Sequence, residues 1–86
     1  MELERIRRLT REERIALLFE DLTMSEMKAV IAETILTDEN IKIAELRFLK
    51  LYTAERIAEN LGYDDRTIAH RIKFIKDRLR NTIMNV

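Results

Sequence analysis

The stretch "IAENLGYDDRTIAHRI", Ile57 to Ile72, holds the only glycine of the chain, followed within three residues by two aspartates. Upstream of that glycine, Ile57, Ala58 and Leu61 share one face of a short helix that Thr53 can cap, spanning Ala54 to Leu61. Gly62 ends it, because a left-handed residue at a helix C-terminus costs least without a Cβ. Downstream, Asp64 takes the cap position of a long helix in which Ile68, Ile72, Ile75, Leu79 and Ile83 step by four, three, four and four. The opposite face carries Arg66, Ala69, His70, Lys73, Asp77 and Arg80. A short helix, a glycine turn and a second helix with one basic face make the helix-turn-helix arrangement, whose second helix enters the major groove of DNA.

Moving towards the N-terminus, "TREE" (Thr10 to Glu13) and "TMSE" (Thr23 to Glu26) both have the capping-box form and predict two helix starts. Behind the first, Ile15, Leu18, Phe19 and Leu22 form one apolar stripe; behind the second, Met24, Met27, Ile31 and Ile35 form another, ending near Leu36. Thr37 and Asp38 are both acceptable caps for a third helix through about Leu51, with Ile41, Ala44, Phe48 and Leu51 on one side and Ile43 and Leu46 widening the arc. The expected fold is all-α, a small bundle of about five helices with a C-terminal helix-turn-helix. Residues 1–86 are read as a single domain. Residues 1–36 supply N-terminal helices that dimerise or complete the core, and residues 37–82 supply the helix-turn-helix part.

Composition agrees. Eighty-six residues suit one helical core, and no proline, one glycine and 37% charged residues leave little material for hairpins. With no cysteine there is neither a disulfide nor a thiolate metal site, and no apolar run approaches the length of a membrane span. A cytoplasmic protein with no membrane contact is expected. The formal charge of zero hides an asymmetry: residues 1–52 carry nine Lys/Arg against eleven Asp/Glu, residues 53–86 seven against five. Between Arg66 and Arg80 six cations face only Asp77, a local +5 suited to a polyanion.

"AERIAENLGYDDRTIAHRIKFIKDRL" resembles the helix-turn-helix of region four of bacterial sigma factors and of LuxR-type response regulators. The matching positions are Ile57 and Ala58, Leu61 and Gly62, Asp64, Thr67 and Ile68, and Ile72. The preceding "ENIKIAELRFLKLYT" is similar to the helix that leads into the motif in sigma factors. The likeness covers roughly Thr37 to Leu79. It departs at the cap, most often serine in the family and here Asp64 followed by Asp65. It implies groove-facing Asp65, Arg66, Ala69, His70 and Lys73, with Thr67 and Arg71 toward the DNA backbone.

The expected function is a sequence-specific DNA-binding transcriptional regulator of bacterial or phage type, with double-stranded DNA as partner. Arg66 and Lys73 are its first candidates for base contacts, since arginine pairs with guanine O6 and N7. The alternative is a protein-interaction module that uses the same fold against RNA polymerase or another host protein. No enzyme is expected, because no nucleophile–base pair, phosphate loop or metal cluster can be written from these residues; no metal or cofactor is expected either. The lone His70 lacks a partner ligand at suitable spacing. "RIRRLTREER" clusters Arg5, Arg7, Arg8, Arg11 and Arg14, either as an arm into a groove or, preferred here, as a solvated face with a Glu4–Arg8 pair. A homodimer is expected through Phe74, Ile83, Met84 and Val86, large apolar groups near or beyond the DNA-facing portion.

Overall fold

A computed structural model describes residues 2–86, which form six α-helices, one 3-10 turn and one π turn. The first helix, α1 (Glu4–Arg7), is a single turn that the sequence reading passed over; Leu3 and Ile6 are buried there. Helix α2 (Arg11–Ala16) starts at the expected capping box, with the Thr10 N–H donating to Glu13 Oε1 at 2.8 Å and the Glu13 N–H to Thr10 Oγ1 at 3.2 Å.

The stripe expected behind that box is corrected. Helix α2 stops at an extended Leu17, and Phe19–Asp21 form a 3-10 turn in which Asp21 Oδ2 accepts from the Leu18 N–H at 3.0 Å. Leu17, Phe19 and Leu22 pack against the core, whereas Ile15 and Leu18 are 65% and 53% exposed. The bend trades helical hydrogen bonds for three inward side chains that one continuous helix face cannot present together.

Helix α3 (Met24–Glu33) begins at its expected capping box, Thr23 with Glu26. It ends earlier than expected, because Thr34 turns into the core: its hydroxyl donates to the Val30 carbonyl at 2.7 Å and lies 2.6 Å from the Thr82 hydroxyl. The buried row is therefore Met27, Val30 and Ile31, with Met24 and Ile35 left in solvent.

Helix α4 (Asp38–Ala44), capped by Thr37, runs into a π turn over Glu45–Leu49. The Lys50 N–H reaches back five residues to the Glu45 carbonyl, and the Tyr52 N–H six residues to that of Leu46, both at 3.0 Å. The extra residue rotates the register. Ile43, Ala44 and Leu46 point inward, while Leu51, expected on the buried side, is 72% exposed with φ +59°.

Helix α5 (Ala54–Leu61) has the expected bounds and cap, and α6 (Asp65–Asn85) starts at the expected Asp64 cap. Gly62 has φ +79°, and the N–H groups of Gly62 and Tyr63 both donate to the Ala58 carbonyl, at 2.9 and 3.0 Å. A Cβ on Gly62 would meet no atom within 4 Å, so the residue is needed for its backbone angle and not for space. Ala58 and Ile57 are buried against α6, whose Ile68, Ile72, Ile75, Leu79 and Ile83 form the spine of a core reaching back to Leu3 and Ile6. Among the described residues no helix is long and apolar enough to cross a membrane.

Candidate functional site

The buried row of α6 fixes which way its other side chains point. With Ile68, Ile72 and Ile75 locked inward, Asp65, Arg66, Ala69, His70 and Lys73 are all exposed on the far side. The described residues contain three ion pairs, Arg5–Glu26, Arg8–Glu4 and Arg71–Glu39, so none engages Arg66 or Lys73. Three basic or titratable groups therefore stand on one helix face, four and three residues apart, with Asp77 continuing the row and the Arg80 guanidinium turned over the Phe19 ring, 5.3 Å from its centre.

Asp64 caps α6 through Oδ1, which accepts from the Thr67 N–H at 2.8 Å. That backbone hydrogen bond is the main cause holding its carboxyl below the usual aspartate range. Thr67 is half-buried beside the cap, and Asp65 is exposed in the first turn.

Arg71, expected toward the DNA backbone, makes contacts within the chain. Its guanidinium donates to Glu39 Oε1 at 2.6 Å and Asn40 Oδ1 at 3.2 Å, and lies 5.4 Å from the centre of the Tyr63 ring. Tyr63 Oη donates to the other Glu39 oxygen at 2.7 Å. Glu39 is pushed below the usual glutamate range by the Tyr63 hydroxyl first and by Arg71 second, while the same bond raises the Tyr63 phenol. The cluster ties the start of α4 to α6 and to the turn before it. Sequence reasoning missed it, since Glu39, Tyr63 and Arg71 lie 24 and 32 residues apart with no periodicity linking them.

The N-terminal arginines are also distributed by structure. Arg5 pairs with buried Glu26 at 2.7 Å and donates to the Asp21 carbonyl at 3.0 Å. Arg14 donates to the main-chain oxygens of Ile83, Met84 and Val86 at 3.1, 3.2 and 2.9 Å, closing the end of α6 where unpaired carbonyls gather. Arg8 makes the expected i,i+4 pair with Glu4 at 3.7 Å. Arg7 and Arg11 remain exposed.

The four residues expected at a dimer interface do not form one patch. Ile83 is buried in the chain's own core, Val86 packs against it, Met84 is half-buried, and Phe74 alone is exposed, at 51%. Ile83 is corrected on that ground: it belongs to the inward α6 row, and the Arg14 clamp folds the chain end over it. Beside Phe74, Arg78 lies 5.9 Å from the ring centre.

The surroundings of the basic face are acidic at one end. Glu55 and Glu59 stand one turn apart on the exposed side of α5, and Asp64 and Asp65 follow across the turn. Among the described residues no group of three His, Cys, Asp or Glu could hold a metal ion. Comparison of the chain with family models, with curated proteins and with solved structures finds no match.

Proposed function

We propose that the chain is a sequence-specific DNA-binding regulator of bacterial or phage type, with α5 and α6 acting as a helix-turn-helix and α6 reading the major groove. The observation that carries this reading is the exposed face of Arg66, Ala69, His70 and Lys73, left free of internal ion pairs while the same helix buries five apolar residues behind it. A helix anchored so firmly on one side holds its opposite side chains in fixed register, as base readout requires. Function is binding without chemistry. Cations displace counterions from phosphates, and Arg66 and Lys73 meet base edges. Arg71 acts behind them as a positioning residue. The reading predicts that Arg66→Ala weakens binding to the preferred site by about 1–3 kcal/mol and relaxes choice at one base pair. Fluorescence anisotropy over a panel of single-base variants measures both.

The alternative, a protein-interaction module that binds RNA polymerase or another host protein, is favoured by the exposed acids Glu55, Glu59, Asp64 and Asp65. They oppose a polyanion where α5 and the start of α6 would approach it. Salt separates the two readings: DNA binding weakens steeply and log-linearly with salt through counterion release, whereas a contact made mainly by acids shows no such phosphate-count slope.

A further inference from the structure

We propose that the cleft between the 3-10 turn, the π turn and α6 is a docking groove for an acidic amphipathic helix of another protein. Its floor is aromatic and aliphatic. Phe19 and Phe48 meet edge to face at 5.2 Å between ring centres, over buried Met27. The cleft is about 220 Å³, below the usual range for a small-molecule pocket and suited to one or two apolar side chains of a docked helix.

Leu51 projects at its edge. A branched side chain is held here at φ +59°, a backbone region that glycine or asparagine occupies at lower cost, and is then left 72% exposed. Neither folding nor solubility gains from leucine at such a position. A contact with another molecule does.

The rim selects the occupant by charge. Arg47 and Lys76 flank the cleft, Lys50 is exposed next to Leu51, and Arg80 lies 5.3 Å over the Phe19 ring, against Glu20 as the single acid lining it. A helix with a glutamate-rich face and leucine or phenylalanine at i, i+3, i+4 and i+7 matches both surfaces. The chain's own acidic face does not, because the exposed residues of α5 are Glu55, Arg56, Glu59 and Asn60, with no apolar group to fill the cleft.

The test uses the full chain and a labelled helical peptide with that apolar pattern and glutamate elsewhere, beside a twin in which every glutamate is lysine. The groove predicts anisotropy binding of the glutamate peptide only. Leu51→Gly and Lys76→Glu should each weaken it roughly tenfold or more, with the helical circular dichroism and Tm of Leu51→Gly kept near the parent's. Failure of the glutamate peptide to bind, equal binding of the twins, or undiminished binding by Leu51→Gly overturns the proposal. Self-association of the parent that Leu51→Gly abolishes also overturns it, assigning the cleft to a second copy. Leu51 lies outside α6 and Leu51→Gly leaves every cation of that helix in place, so with this variant the proposal and the DNA reading fail separately.

Discussion

Asp64 and Asp65 are neighbours in the chain and differ in what they touch. Asp64 accepts the Thr67 N–H and has its carboxyl held low by that bond. A depressed folded-state pKa means the contribution is present above the unfolded aspartate range, about 3.9, and is lost as pH falls through the lower folded value. Asp64→Ala is expected to lower Tm by roughly 5 °C near neutral pH, with the deficit shrinking in acid, as a thermal melt series over pH will measure. Asp65 is exposed, so Asp65→Asn should leave Tm almost unchanged and tighten binding to random DNA more than to the preferred site. Equal tightening on both DNAs would place Asp65 away from the groove rim. The Asp64 cap and Gly62 were legible, because caps and a lone glycine depend on neighbours a few residues away. Leu51 was not: nothing in "LKLYT" marks a left-handed leucine, and the usual glycine or asparagine signal is missing. Leu51→Gly should change stability by less than about 1 kcal/mol in urea unfolding, since relief of the positive φ offsets the added freedom of the unfolded chain.

Helices behaved according to how local their causes are. The bounds of α5 and the start of α6 follow from Thr53, Gly62 and Asp64, and the buried face of α6 from an unbroken four-three-four-four row, and the structure has them as expected. The break after Ala16 and the π turn at Glu45–Leu49 were hidden because a 3.6-residue pattern continues through both in the sequence, while the core accepts only part of each stripe. Tertiary packing decided against local periodicity there. Helix α3 depends on a residue with two partners: Glu26 accepts from the Thr23 N–H at 2.9 Å and from Arg5 Nη2 and Nε at 2.7 and 2.8 Å. The Arg5 bond is the main cause lowering the Glu26 carboxyl, so this contribution too exists above the unfolded glutamate range and disappears as pH falls through the folded value. Glu26→Gln keeps the cap and removes the charge. It should cost about 1 kcal/mol at neutral pH and little at pH near 3, and a loss independent of pH would assign the effect to packing instead.

Across the whole molecule, which measures about 40 × 21 × 21 Å, one core joins the two ends of the chain, with Leu3 and Ile6 packed in the same cluster as Leu79 and Ile83. The Arg14 clamp on the last turn of α6 adds a second tie between those ends. Of the two roles open for residues 1–36, completing the core is the one these contacts support, and Ile6→Ala should cost about 2–5 kcal/mol in urea unfolding. The homodimer is carried forward as a proposal resting on Phe74 alone, and light scattering of Phe74→Ser against the parent, with and without DNA, tests it. The exposure of the candidate face was legible because it is the complement of an apolar row; the Glu39–Tyr63–Arg71 cluster beside it was not, because long-range pairs leave no local pattern. The most direct test of the central claim is selection of bound duplexes from a random DNA pool by the parent chain and by a variant with Arg66, His70 and Lys73 all changed to alanine. The account predicts an enriched motif for the parent and none for a variant whose circular dichroism and melting match the parent's. The same motif enriched by both proteins, or no motif for the parent at low salt, would contradict it.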